Sequence, residues 1–173
     1  MMLMNGPVLV YTIRIDATPE EVWRGLTEPD LTRRYWFGMA FESDWRVGSP
    51  VLWQYEPGGA AEDIGQVVLE SEPHRRLAYT WHRFQRSHAM LFGWSDEELA
   101  RRARERPSKV AFDIVPEDDG RAVRLTITHD DFEPDSLMYQ AISGQLEGSG
   151  GWPGLMTGMK TLLETGRTAP VAP

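Results

Sequence analysis

The side chains able to do chemistry are few and far apart. The 173-residue chain has no cysteine and four histidines, His74, His82, His88 and His129. No two of these stand one helical turn apart, the spacing by which paired histidines hold zinc. No metal and no cofactor are therefore expected. Ser149 lies in Gly-Ser-Gly, but the strained Gly-x-Ser-x-Gly elbow of a hydrolase nucleophile is missing. The stretch Gly148–Gly154, GSGGWPG, comes close to a dinucleotide-binding loop. Pro153 stands where the third glycine belongs, and the stretch follows a helical pattern rather than a strand. It reads as a helix breaker.

His129 is the one polar residue placed for a role. It closes an alternating run in which Val123, Leu125, Ile127 and His129 share a face. Alternation therefore turns it inward. Three roles are open to it: a structural histidine bonded to a backbone carbonyl, a polar anchor for a ligand, or a general acid–base. In the segment RRLAYTWHRF, Leu77, Tyr79 and Trp81 share the inward face, which puts His82 on the surface. Arg83 follows that face and either snorkels to water or pairs with a ligand carboxylate.

These residues need a scaffold. Residues 8–16 read as a strand. Thr18-Pro19-Glu20-Glu21 is a capping box with proline at the first helical position, and Pro29 restarts a second short helix. Strand patterns then follow through 40–56, 64–72 and 75–84. A hairpin is expected over 109–116 and 121–129, around Asp118-Asp119-Gly120. Residues 85–107 differ: a loop, then a surface helix of about three turns at 95–106, capped by Ser95 and Glu98. The tail carries a helix from about 135 to 147 and a second at 152–165. In the latter, Trp152, Leu155, Met156, Met159, Leu162 and Leu163 make one apolar stripe. An antiparallel sheet with one apolar face needs a cover, and this last helix supplies it. A single domain over 1–173 is expected, with its core at about 8–166 and a frayed tail at 167–173.

Composition narrows the function. A net charge of −8 argues against nucleic acid. No apolar run reaches the roughly 18 residues of a membrane helix, and the first residues lack the features of a signal peptide. A cytoplasmic protein is expected. Seven tryptophans are many for this length. Trp53, Tyr55, Trp81, Trp152, Met156 and Met159 project inward on this scheme, and Trp36 and Phe37 fall after the second helix. Wide aromatics beside adaptable methionines suit a cavity as well as a core.

Four stretches taken in order resemble one family. TPEEVWRGLTEPDLTRRYWFG, GQVVLESEPHRRLAYTW, TITHDDF and SGGWPGLMTGMKTLLETG are similar to signatures of bacterial homologues of the heat-shock protein 90 ATPase activator C-terminal domain. That family lies in the START-like superfamily. The resemblance implies the α+β helix-grip fold, a curved antiparallel sheet wrapped around a long C-terminal helix, with a hydrophobic cavity between them. Residues 85–107 and the helical stretch at 135–147 exceed the usual family pattern.

The function implied is a binding module for a small, mostly hydrophobic ligand. The ligand candidates are Trp36, Trp53, Tyr55, Trp81, His129, Trp152, Met156 and Met159. Two other functions stay open: a chaperone-regulating or protein-interaction module working through residues 87–106, and a cyclase- or hydrolase-type enzyme with His129 as its acid–base. The chain is expected as a monomer or homodimer.

Overall fold

The structure, a computed structural model, describes residues 6–146 and 150–168. The chain runs β1 (Leu9–Ile15), α1 (Pro19–Thr27), α2 (Pro29–Tyr35), β2 (Ala40–Glu42), β3 (Pro50–Gln54), β4 (Glu62–Glu72) and β5 (Arg76–Thr80). Then come α3 (Arg86–Phe92), α4 (Asp96–Arg102), β6 (Lys109–Glu117), β7 (Ala122–Asp130), α5 (Leu137–Ser143) and α6 (Gly151–Thr165). The seven strands form one antiparallel sheet in the order β1-β7-β6-β5-β4-β3-β2. With α6 as its cover, this is the expected helix-grip arrangement.

Local chemistry explains most boundaries. Thr18 Oγ1 accepts from the Glu21 N–H at 3.2 Å, and Glu21 Oε1 accepts from the Thr18 N–H at 3.4 Å. The capping box thus starts α1 where the sequence places it. Strand β7 alternates as read: Val123, Leu125, Ile127 and His129 are buried while Arg124 is exposed. Helix α6 buries Trp152, Met156, Met159 and Leu162. Large side chains buried this fully contribute about 1.5–3 kcal/mol each, so this one stripe dominates the hold of α6 on the sheet.

Two expectations are corrected. The stretch 85–107 holds two short helices, not a loop and one helix of three turns. Gln85 opens α3: its N–H donates to His88 Nδ1 at 2.8 Å, a local cap. Gly93, at φ +71°, closes α3 in the left-handed conformation. Helix α4 then ends at Arg102, because Glu105 and Arg106 turn away to bond the chain after β7. The helix expected at 135–147 is shorter, ending where Gly144 takes φ +85°. Gly148, Ser149 and residues 169–173 of the tail lie outside the described residues.

The glycines before Trp152 have a steric reason. Gly151 has φ +60°, and a Cβ there would lie 2.4 Å from the Ile142 carbonyl oxygen and 2.5 Å from the Gly144 nitrogen. The first turn of α6 therefore sits directly on the end of α5, which only glycine permits.

Candidate functional site

Four tryptophans from four parts of the chain meet at one end of the sheet. Trp36 follows α2, Trp53 is in β3, Trp81 follows β5 and Trp152 is in the first turn of α6. Ring centroids are 5.6 Å apart for Trp36–Trp53, 5.6 Å for Trp36–Trp152, 6.0 Å for Trp53–Trp81 and 5.3 Å for Trp81–Trp152. Edge-to-face and tilted contacts of this kind are favoured by the ring quadrupoles. All four are buried, Trp36 at 6 % exposure and Trp152 at 1 %. Tyr55, half-buried, touches the cluster through Trp53 at 6.4 Å. Met156 and Met159 are fully buried further along α6. Met159 sits over α1, where its sulfur would be 3.2 Å from a Cβ on Gly25. Phe37, next to Trp36, is two-thirds exposed.

His129 is buried against this cluster, as alternation requires, and both ring nitrogens are engaged. The Trp152 indole N–H donates to Nδ1 at 3.0 Å, and Nε2 is 2.8 Å from Ser108 Oγ. Indole is a donor only, so Nδ1 must be unprotonated and the proton of the neutral ring sits on Nε2. Burial holds the imidazole pKa down to about 3. This arrangement leaves no free nitrogen for an acid–base role. Of the three roles open from sequence, the arrangement matches the structural one, with side chains of Ser108 and Trp152 in place of a backbone carbonyl.

His82 is not on the surface. Strand β5 ends at Thr80, and the Trp81 N–H turns to the Ser108 carbonyl at 2.7 Å. Alternation stops there, and His82 is buried at 4 % exposure. Its backbone N–H donates to Gln66 Oε1 at 3.3 Å, and its Nδ1 is 2.6 Å from the same oxygen. A backbone N–H can only donate, which fixes the amide orientation of Gln66. Nδ1 of His82 therefore carries the proton and Nε2 the free lone pair. Burial pushes its pKa well below the usual histidine value, reinforced by His88 and His129. The His88 ring stacks on His82 with centroids 5.3 Å apart.

Sequence reasoning missed Gln66, His88 and Ser108. Gln66 had a signal, since it shares the buried face of β4 with Val68. Ser108 had none, because its bond to His129 depends on how β6 pairs with β7.

Two polar atoms in the cluster stand out. The indole N–H groups of Trp53 and Trp81 are buried and have no hydrogen-bond partner among the described residues. Buried donors without acceptors are rare, and each costs about 1–3 kcal/mol.

The inserted segment covers this end of the molecule. Glu105 accepts from the Ser136 hydroxyl and from the Met138 N–H at 3.3 Å. Arg106 donates to the carbonyl oxygens of Asp131 and Phe132, at 3.3 and 3.1 Å, and its N–H donates to Glu133 Oε1 at 3.0 Å. A hollow of about 380 Å³ opens on the outer side, between Arg101–Glu105 and Glu133–Leu137. A much smaller one, about 10 Å³, lies beneath the segment and is lined in part by His82, Ser108 and Met138. By volume it matches a single water. Arg83 is exposed and donates to the Glu105 carbonyl at 3.3 Å. Among the described residues, no three histidine, aspartate or glutamate side chains converge as a metal site, and no helix is long and apolar enough to cross a membrane.

A family profile described as activator of Hsp90 ATPase homolog 1-like protein matches residues 16–164. No curated relative matches significantly. Among solved structures, a Mesorhizobium loti protein is 24% identical, with 91% of this chain and 97% of that one covered and a TM-score of 0.61. A solution structure from Cytophaga hutchinsonii is 24% identical over 95% and 98%, with a TM-score of 0.62. The Aha1 dimer from Colwellia psychrerythraea is 16% identical over 93% and 98%, also at 0.62. At these identities the likeness is one of fold.

Proposed function

Starting from the fact that the chain belongs to the activator of Hsp90 ATPase homolog 1-like family, we propose that it binds a small, mostly apolar ligand at the tryptophan cluster between the sheet and α6. The observation that carries this reading is the pair of unpartnered indole N–H groups on Trp53 and Trp81. A core selected for packing alone has no use for two buried donors facing no acceptor. A ligand that brings the acceptor removes the penalty. Trp36, Trp152 and Tyr55 supply the apolar walls, with the adaptable side chain of Met156 one turn further along α6, while Met159 packs on α1 at Gly25, away from the tryptophans. His129, with both nitrogens engaged, fixes the position of Trp152.

Native mass spectrometry tests this directly. The purified chain, incubated with a small-molecule extract, is expected to retain an apolar adduct at one per chain. Trp81→Phe is expected to weaken that retention. A chain that retains nothing from any extract overturns the reading.

A second reading, regulation of a chaperone, draws on the family description and on α3, where Met90 and Leu91 are 78% and 67% exposed. Its test is the ATPase rate of an Hsp90-type chaperone with the chain added. Stimulation that vanishes in the double variant Met90→Ser, Leu91→Ser supports it. An unchanged rate removes it. Sedimentation of the same sample distinguishes monomer from homodimer.

A further inference from the structure

We infer that two copies of this chain pair edge to edge through β1 into one continuous sheet, with the twofold axis at Val10. This goes beyond the ligand reading and does not depend on it. Strand β1 stands at the end of the strand order and pairs only with β7. The ladder decides which of its backbone groups are free. The Trp81 N–H donates to the Ser108 carbonyl at 2.7 Å, and the Ile114 N–H donates to the Arg75 carbonyl at 2.8 Å. Antiparallel strands turn alternate residues to opposite neighbours. Even-numbered residues of β6 therefore face β5, and odd-numbered ones face β7. Carried through the uninterrupted registers of β6 with β7 and β7 with β1, this turns Leu9, Tyr11, Ile13 and Ile15 toward β7. Val10, Thr12 and Arg14 turn their N–H and C=O groups off the sheet.

Native sheets guard such an edge with charge, proline, a bulge or a cover. Here the guard is partial. Lys160 Nζ donates to the Arg14 carbonyl at 2.7 Å and covers the far end. The Arg14 side chain itself is drawn off to Glu117 and Asp118 at the β6–β7 turn. No hydrogen bond among the described residues reaches the outward groups of Val10 and Thr12. Val8 and Val10 are 56% and 64% exposed. The opposite edge is different. Strand β2 has three residues, and the Phe41 N–H donates to Thr32 Oγ1 of α2 at 3.4 Å.

A second copy is the occupant that fits. With the twofold at Val10, Val10 stands opposite Val10, and Val8 opposite Thr12 in both directions. All are β-branched and uncharged, the pairing that sheets favour. Every pair in that register has the outward parity, so each exchanges both backbone bonds. A twofold at Thr12 instead sets Val10 against Arg14, whose carbonyl Lys160 already holds. The chain carries a net charge of −8, so two copies meet with least repulsion along an uncharged strand. Pairing over residues 8–12 buries less than the roughly 1,200 Å² of a stable interface, so the dimer is reversible.

The test is sedimentation over about 10 µM to 1 mM chain, the range of a weak reversible dimer, with amide exchange measured at both ends of it. The wild type should dimerise as concentration rises. Exchange at Val10 and Thr12 should slow with it, while Leu9, Tyr11 and Ile13 stay slow at both ends. Val10→Lys changes an exposed side chain and sets like charges opposite one another. It should weaken pairing at least about tenfold and leave the thermal midpoint near that of the wild type. An equimolar mixture of Val10→Lys and Val10→Glu chains should pair again, because the twofold sets those two side chains together. A wild type that stays monomeric, a dimer that survives Val10→Lys, or a mixture that fails to pair overturns the inference. Protection of Val10 and Thr12 that appears only with an added extended peptide overturns it in favour of a peptide partner. None of these outcomes bears on the ligand reading.

Discussion

The Trp152 indole N–H donates to Nδ1 of His129 across 3.0 Å, joining the first turn of α6 to the last inward position of β7. The bond exists only while the imidazole is neutral. Protonating His129 would set an N–H against an N–H. The folded pKa of about 3 lies far below the ordinary value of 6.5 because the ring is buried. Between those values the unfolded chain takes up a proton that the native chain refuses. The stabilising effect is thus complete above pH 6.5 and is lost as pH falls toward 3, at up to about 1.4 kcal/mol per pH unit for one group. His82 and His88 are depressed by the same cause and act with the same sign. Urea unfolding at pH 7.5, 6 and 5 should show falling stability, with a shallower fall in His129→Gln. A flat profile in the wild type contradicts this account.

Trp152→Phe and Trp81→Phe separate bonded from unbonded indoles. Both rings are buried to a similar degree, at 1% and 3% exposure. Losing the Trp152 N–H leaves His129 Nδ1 unpaired, at about 1–3 kcal/mol beyond the change in packing. Losing the Trp81 N–H removes a penalty instead. Chemical denaturation is expected to rank Trp152→Phe as the more damaging by at least about 1 kcal/mol. The reverse order would show that the two indoles are not distinguished by bonding.

Gly151→Ala tests the seating of α6 on α5. The positive φ disfavours alanine, and its Cβ would meet backbone atoms at 2.4–2.7 Å that cannot rotate away. A loss of about 2 kcal/mol or more is expected. Gly154→Ala is the control, since nothing lies within 4 Å of a Cβ there. It should stabilise by up to about 1 kcal/mol through helix propensity. Thermal melts of the pair give the comparison.

Glu105→Ala should free the inserted segment without unfolding the sheet. Its carboxylate accepts from Ser136 and Met138, at the start of α5. The expected cost is about 1–2 kcal/mol, local to this corner. Amide exchange should quicken at residues 137–143 and 96–106 and hold steady in β6 and β7. Uniform quickening across the sheet would mean that Glu105 supports the whole fold.

Periodicity and capping made the scaffold legible from sequence. The two-residue alternation of β7 turned His129 inward, the Thr18–Glu21 box started α1, and the α6 stripe marked the cover of the sheet. These are local properties, since side-chain direction repeats with the backbone and caps act within one turn. The site itself was only half legible. Alternation named Trp53, Trp81 and His129, and the helical stripe named Trp152, as inward residues, but neither says which indoles are bonded. That depends on the exact register of the β6–β7 hairpin, which brings Ser108 to His129, and on the end of β5, which turns His82 from surface to interior. The break between the two short helices of the insertion is local, set by the Gln85–His88 cap and by Gly93, but a glutamine–histidine pair is not one of the usual capping signatures. Only the end of α4 follows from distant partners, the bonds of Glu105 and Arg106 to residues 131–138. Local pattern thus determined which side chains point inward. Tertiary packing alone decided that Trp152 finds an acceptor while Trp53 and Trp81 do not, because a hydrogen bond requires a partner placed to a fraction of an ångström by elements far apart in the chain.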